Sequence, residues 1–382
     1  MTSYDFKPIK DATRDYDFCS YEYVSCCYAS GSGEKRSVYN RRLKTMERTD
    51  ALKYFDILKQ SVKGTINKNA FVTGFSEEQK SENGLKQILR TAVREPLNEE
   101  NTVALFDRII PAVGFESETN YFITVANNTI DIRPRTSDRI AIDDASEFSF
   151  SYIIVSVCPA RLSDPGLAYD EESGVFRTRI TDRVAGAPFM SLVYPVPAGN
   201  GADLDHAIVF SKSKEYEDAA EFMEKLLGEN DPPMPSDRVF EDLVGIVTNT
   251  FENPLTPDRV EFLDTELKQF RQEYREEHPA DEIPGDCLPP EPVITKEELK
   301  GIIRQTGASE EEIRTFEEEY DSRLGEKELP LYGVKPLAKA LERAKVTVKT
   351  DNPGALETRS IDGEMYLLIP FSEGIRLNSE ML

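Results

Sequence analysis

Tryptophan is absent from this chain, and histidine occurs only twice, at His206 and His278. Any Ser-His-Asp or Cys-His catalytic arrangement has to use one of those two side chains. Neither is surrounded by a G-x-S-x-G elbow, a C-G-x-C-W pattern or an H-E-x-x-H helix, so the local sequence supports no nucleophile. His278 precedes Pro279 at the end of a helical stretch, where the helix dipole alone favours an imidazole. His206 follows GNGADLD and opens an apolar run. Cysteine is scarce too: Cys19, Cys26, Cys27, Cys158 and Cys287. An odd count without an export signal argues for free thiols. The first three lack the C-x2-C spacing that brings two thiolates to one tetrahedral metal, and neighbours such as Cys26 and Cys27 point to opposite faces of a strand. They read as small buried hydrophobes.

Long apolar runs are also missing. The strongest, Ser151 to Cys158, falls far short of the roughly 20 residues that span a bilayer. The opening MTSYDFKPIKD has no apolar core for a secretory signal. The expected location is the cytosol, with no membrane partner. A phosphate loop is missing as well. GSGEKRS (Gly31 to Ser37) lacks the G-x4-G-K-[ST] spacing and joins two strand-like segments, so it reads as a hairpin turn.

What is present is acid. The formal charge is -24 over 382 residues. Residues 211–330 hold 33 Asp plus Glu against 14 Lys plus Arg, which leaves a net of only -5 for the rest of the chain. A chain this acidic repels phosphate backbones, so nucleic acid is a disfavoured partner unless a local basic face exists. Two acid groups, Asp143-Asp144 with Glu147 and Asp203 with Asp205, could hold a divalent ion only if their oxygens converge. In so acidic a chain such clusters arise by chance, and neither a metal nor a cofactor is expected.

The apolar fraction of 39%, with 20 Phe and 16 Tyr, is enough to fill cores. Glu22 to Ala29 and Arg36 to Leu43 read as a hairpin about the Ser30 to Lys35 turn. Thr49 is placed to cap a helix bearing Leu52, Phe55, Leu58 and Val62. Ser76 with Gln79 fits a capping box before a helix with Leu85, Ile88, Leu89 and Val93. Asn98 to Ala112 forms a further helix. Tyr121 to Ile132 reads as two strands about an Asn127-Asn128 turn. Phe148 to Ala160 is a strand covered on both faces. Phe189 to Val196 and His206 to Ser211 follow without intervening helices, which favours antiparallel pairing. The stretch from Pro159 to Pro188 reads as a long polar loop, of the length that is often functional or mobile.

Three helices follow, over Glu215 to Leu227, Ser236 to Phe251 and from Thr256 to about Glu277. His278 to Pro292 packs five prolines into fifteen residues and reads as a linker. Beyond it come a helix pair, with capping boxes at Thr295/Glu298 and Ser309/Glu312, and strands at Lys345 to Thr350, Ala355 to Ile361 and Glu364 to Phe371. The expected fold is α+β: a mostly antiparallel sheet with packed helices, an acidic helical segment and a small C-terminal α/β module. The corresponding divisions are 1–230, 231–278, a Pro-rich linker at 279–293, and 294–382.

Candidate contact residues are the bases that stand out against the acid. Lys35 to Arg48 holds six bases and one acid, among them Lys35, Arg36, Arg41 and Arg42. Arg133, Arg135 and Arg139 form a second group with the loop residues Arg161, Arg177, Arg179 and Arg183. These are anion or nucleic-acid contacts if exposed. The bland reading is that they pair with the acidic helices.

Several stretches together resemble a bacterial family of about 400 residues, common in clostridial-type Gram-positive bacteria and known only as a domain of unknown function. They are FKP (Phe6 to Pro8), CCYA, DALKYFDILKQSVKGTINKN, FSFSYIIVSVCPARLSDPGLAYDEESGVF, DPPMP, VITKEELKGIIRQTGASEEEIRTFEEEYDSRLGE and ALETRSIDGEMYLLIPFSEGIRLN. The resemblance spans nearly the whole chain and implies no activity and no catalytic residues. Family members often carry a basic helical lead before FKP, reduced here to MTSYD. At the level of element order only, the chain is also similar to acidic nucleoid-associated bacterial proteins of about 37 kDa. Three functions follow as expectations. The first is a non-enzymatic binding or regulatory protein, meeting a protein partner through the acidic segment or the arginine-bearing surfaces. The second is a nucleoid or nucleic-acid-associated protein. The third is an enzyme with a dispersed Asp/Glu/Arg site.

Overall fold

The computed structural model describes residues 6–113, 119–132, 148–163, 166–170, 174–179, 182–198, 201–213, 215–251, 255–277, 292–332, 334–338, 357–361, 364–368, 376–377 and 380–381. Chain order begins with α1 (Lys7–Ala12), β1 (Tyr23–Ala29), β2 (Lys35–Arg42), α2 (Arg48–Ser61), β3 (Ala70–Gly74), α3 (Glu77–Lys80), α4 (Leu85–Arg94) and α5 (Glu99–Ile109). Strands then dominate: β4 (Tyr121–Ile132), β5 (Phe148–Leu162), β6 (Gly166–Asp170), β7 (Val175–Arg179), β8 (Arg183–Ala185), β9 (Met190–Tyr194), β10 (Val196–Ala198), β11 (Gly201–Asp203) and β12 (His206–Ser211). Then come α6 (Tyr216–Leu227), α7 (Ser236–Thr250), α8 (Pro257–Glu277), β13 (Val293–Ile294), α9 (Lys296–Gln305), α10 (Glu310–Arg323), β14 (Leu329–Pro330), β15 (Glu357–Ile361) and β16 (Glu364–Leu368).

The fold is α+β. The main sheet runs β2-β1-β4-β5-β9-β12-β3, and β8 joins the end of β5. Its ladders are antiparallel. Alternate residues of β5 face opposite cores, as the period of two requires. Ile153, Val155 and Val157 pack with Leu89 of α4, Phe106 of α5 and Phe222 of α6. Tyr152 and Ile154 pack with Ile9 of α1 and with Phe55 and Leu58 of α2. Covering on both faces explains the unbroken apolar run that the sequence shows there.

Polar groups inside these cores are tied. Ser156 Oγ lies 2.6 Å from Ser61 Oγ at the end of α2, and Ser191 Oγ donates to the Ser61 carbonyl at 2.6 Å. Tyr21 and Tyr152 hydroxyls meet at 2.9 Å, and Asn128 Nδ2 donates to Tyr152 at 3.1 Å. A buried hydroxyl left unpaired costs more than such a bond gains, so these links fix where α2 and β4 sit.

Tyr121 to Ile132 is one strand, not two about an Asn-Asn turn. It pairs with β5 without a break from Tyr121↔Pro159 to Ile132↔Phe148. The asparagines are spent on side-chain bonds instead. Asn127 Nδ2 donates to the carbonyls of Ala92 and Glu95 at 3.1 and 3.0 Å, at the end of α4. The Ser76 cap also serves a shorter element than expected. Ser76 Oγ accepts from Gln79 N at 3.3 Å, while Gln79 Oε1 accepts from Leu85 N at 3.1 Å and so starts α4. Gly84 lets the chain fold back this tightly, since a Cβ there would lie 2.2 Å from the Gln79 carbonyl oxygen. Helix α2 starts one residue before Thr49 and has no side-chain cap. The Asn98/Asn101 and Ser309/Glu312 pairs are reciprocal caps. The strand expected at Lys345 to Thr350 and the His278–Glu291 part of the linker lie outside the described residues.

The chain divides into two compact units. The first is Met1–Leu243, Phe270–Lys296 and Leu324–Val334. The second is Val244–Gln269, Glu297–Arg323 and Lys335–Leu382. In the second unit, Leu263, Leu299, Ile303, Ile313 and Phe316 are buried. Asp264 there accepts from the backbone N–H of Leu337 at 2.6 Å.

Gly228 ends α6 at φ +71, and a Cβ there would stand 2.3 Å from Ser76 Oγ. Gly228→Ala is expected to cost about 1–3 kcal/mol, because a left-handed residue gains a side chain with nowhere to go. Urea unfolding followed by near-ultraviolet circular dichroism would show a lower midpoint at unchanged slope. An unchanged midpoint would contradict the tight approach.

Candidate functional site

The basic run from Lys35 to Arg48 forms β2, the turn after it and the first residue of α2. That strand is an edge of the main sheet. Charged side chains on an edge discourage pairing with other chains, so its composition has a structural explanation. Most of its cations are already matched. Lys35 Nζ lies 2.7 Å from Asp107 of α5, Arg36 3.6 Å from Glu34, and Arg42 pairs with Glu22. Arg48 holds both oxygens of Asp17 at 2.6 and 2.8 Å, which pulls that carboxyl below its ordinary range. Arg41 sits 4.8 Å over the half-exposed Tyr39 ring. Internal pairing is therefore the rule here. The carboxylates come from the same unit, not from the acidic helices, because short sequence and sheet distances bring those acids first.

The other candidates lie in the stretch read as a loop from Pro159 to Pro188. The structure makes it an arm of two short ladders. The last residues of β5 pair with β8, as Ala160↔Ala185, Arg161↔Val184 and Leu162↔Arg183. Beyond them β6 and β7 pair as Gly166↔Arg179, Leu167↔Thr178, Ala168↔Arg177, Tyr169↔Phe176 and Asp170↔Val175. The two ladders are joined at Ser163, whose N–H donates to the Asp182 carbonyl at 2.8 Å and whose Oγ accepts from Asp182 N at 2.9 Å. Gly174, at φ +66, serves the turn into β7. Strands β6 and β7 have each other as principal neighbours.

The arm exposes what a sheet normally hides. Leu162 is 61% exposed, Leu167 75%, Tyr169 55% and Phe176 67%. Most of the large exposed hydrophobics among the described residues lie between Leu162 and Val184. The Tyr169 and Phe176 rings touch at 5.0 Å between centroids. By the two-residue period, Leu167, Tyr169 and Phe176 share one face of the hairpin, and Arg177 and Arg179 hold the alternate register positions. Arg161 and Arg183 are exposed and have no ion pair among the described residues. The sequence did carry a signal for the arm. GLAYD and VFRTR alternate on either side of an acidic stretch of sequence, but five residues each is too brief for the period of two to stand out from a polar loop.

The remaining candidates do not assemble. His206 Nδ1 lies 2.7 Å from the buried Asp203 carboxylate, which also accepts from Asp205 N at 2.8 Å. Asp205 turns instead to Lys86, and that ammonium draws its carboxyl below the ordinary range. The two carboxylates thus serve different partners. No group of three or more His, Cys, Asp or Glu side chains is arranged for a metal ion among the described residues. His278, Cys287, Arg133, Arg135, Arg139, Asp143, Asp144 and Glu147 lie outside those residues. An open cleft of about 520 Å³ beside Thr65, Asn69, Ser211 and Tyr216 is of mixed polarity. Its Lys68 is 3.8 Å from Asp237. Cys19, Cys26, Cys27 and Cys158 are free thiols. Burial pushes Cys27 and Cys158 up to about 12 and raises Cys26 as well. No helix among the described residues is long and apolar enough to cross a membrane.

A comparison with family models matches residues 1–379 to a domain of unknown function, DUF4317. The chain belongs to the DUF4317 family. A search of curated proteins returns no match. The family match covers the arm, the basic edge and both compact units of this DUF4317 protein.

Two outcomes are expected from this geometry. In a Cys19→Ser, Cys287→Ser background, the native DUF4317 chain should react slowly with a thiol reagent at pH 8, because the thiolate is the reacting form and burial keeps it scarce. Unfolding should release the full reaction. Fast native labelling would contradict the burial of Cys27 and Cys158. Anisotropy of labelled single-stranded and duplex DNA at about 50 mM salt should show no saturable binding, since the edge-strand cations are already neutralised. Binding that weakens as salt rises would restore the nucleic-acid reading.

Proposed function

We propose that this protein works by binding and not by catalysis, and that it engages a macromolecular partner through the β-arm at residues 160–185. The observation that carries this reading is the exposed apolar face of Leu167, Tyr169 and Phe176. Exposed apolar clusters of this kind mark contact surfaces. Each such side chain gains about 1.5–3 kcal/mol when fully buried. An arm that leaves them in water is stabilised by a partner that covers them. The flanking Arg161 and Arg183 add donors that the fold leaves available. The same reading is supported by the way the titratable candidates are used up. His206 with Asp203, Lys86 with Asp205 and Lys35 with Asp107 are pairs at separate places among the described residues.

The test is a pull-down from native lysate with tagged full-length protein beside a Leu167→Ser, Phe176→Ser variant. The wild type should retain a stoichiometric partner, and the variant should lose it while keeping its circular dichroism and unfolding midpoint. Recovery of the same partner by both proteins would overturn the assignment to the arm. Recovery of none by the wild type would overturn the binding reading itself.

A further inference from the structure

We infer that the open cleft beside Asn69 and Ser211 is a binding site for a small zwitterion of the amino-acid class, held by its carboxylate and its ammonium together. The cleft shares no residue with the arm and goes beyond the docking reading.

The space suits a small molecule. Its volume of about 520 Å³ falls inside the range of about 300–1,000 Å³ in which such ligands are held. One wall is the turn at 64–69 after α2. A second runs from Ser211 at the end of β12 to Tyr216 at the start of α6, and Asp237 of α7 stands on the third. All of these residues belong to the first compact unit.

The walls are fixed before any ligand arrives. The Thr65 carbonyl accepts from the N–H groups of Lys68, Asn69 and Ala70 at 3.1, 3.2 and 3.1 Å. Thr65 N donates to Asn69 Oδ1 at 2.9 Å. The Asn67 carbonyl accepts from Ser236 N at 2.6 Å, which ties the turn to the start of α7. Asn67 itself sits at φ +60, a left-handed conformation that asparagine tolerates. A wall already in place keeps the ordering cost of binding low.

Donors are left over on two of these walls. Ser211 is buried, and its Oγ accepts from Ser213 N at 3.1 Å. The Ser211 hydroxyl hydrogen has no acceptor among the described residues. Asn69 spends its oxygen on Thr65, and its Nδ2 has no acceptor among the described residues either. Lys68 adds an exposed ammonium, 3.8 Å from Asp237. A buried donor without an acceptor is costly, so these groups favour a ligand that brings oxygens.

Carboxylates border the same space. With Glu215 and Asp237 beside Lys68, the charged lining among the described residues is two acids and one base. Inorganic phosphate would be repelled by both acids. A simple amine would satisfy the acids and leave the Ser211 and Asn69 donors unmatched. An amino acid answers both sets. Its carboxylate takes the hydrogens of Ser211, Asn69 and Lys68, and its ammonium goes to Glu215 and Asp237. Phe71 and Tyr216, in edge contact at 5.9 Å between ring centroids, supply apolar surface for the ligand's side chain.

Thermal shift and titration calorimetry of the full-length chain test the site. The probes are glycine, L-alanine, L-leucine, L-phenylalanine, L-glutamate and L-lysine, with inorganic phosphate and spermidine beside them. At least one amino acid should raise the melting temperature and bind saturably. Its N-acetyl derivative, which lacks the ammonium, and its amide, which lacks the carboxylate, should each bind at least tenfold more weakly. Lys68→Glu, at an exposed position, and Asn69→Asp, which keeps the acceptor for Thr65 N, should weaken binding to a similar extent with circular dichroism unchanged. Absence of binding by all six amino acids would overturn the inference. So would derivatives that bind as tightly as their parent, variants that bind as tightly as the wild type, or stabilisation by phosphate or spermidine alone. Such a failure would leave the lysate partner of the arm untouched, and loss of that partner would leave the cleft untouched.

Discussion

A strand buried on both faces has to present apolar side chains without interruption, and every polar group it does carry must find a partner inside the protein. Strand β5 meets that constraint from Tyr152 to Cys158, all buried. Its one hydroxyl in the middle, Ser156, is held by Ser61, and the Tyr152 hydroxyl is held by Tyr21 and Asn128. These contacts anchor α2 on one face and set the register of β4 on its flank. The helices α4, α5 and α6 close the other face. Burial also pushes the Tyr152 hydroxyl up to about 12, so it stays protonated near neutral pH.

The arm grows from the same strand. β5 is longer than the sheet needs, and its last residues leave the layered body to pair with β8. One strand thus carries a run of seven buried residues and is also the root of an exposed arm. A rigid root matters to a binding element, because ordering a floppy segment would cost part of the contact energy. Leu162, at 61% exposed, marks where the body ends.

Charge follows a different logic from packing. The basic residues of β2 are matched by acids close to them, at Glu22, Glu34 and Asp107. The acidic helices answer their own bases in the second unit, where Lys300 pairs with Glu317 and Arg323 lies 3.4 Å from Glu319. Exposed pairs of this sort contribute little to stability. Their effect is to use up cations locally. The acids in excess then remain as the dominant surface charge, and Arg161 and Arg183, which have no ion pair among the described residues, stand out against it.

The sequence alone determined the elements whose signals are local. The first hairpin, the doubly covered β5 and the Ser309/Glu312 cap all follow from periodicity and from backbone chemistry within a few residues. The α+β class and the family membership were legible for the same reason, since long stretches kept their pattern. Only the tertiary structure decided what distant groups do to one another. Asn127 and Asn128 carry turn chemistry, yet the carbonyls of α4 and the Tyr152 hydroxyl hold them in a strand. The sequence offers the acidic helices as partners for Lys35 and Arg42, and the fold brings Asp107 and Glu22 to them instead. Leu167 and Phe176 looked like ordinary loop residues until their ladder left them uncovered. Burial and pairing depend on which surfaces meet in space, and a chain's local pattern does not contain that distance.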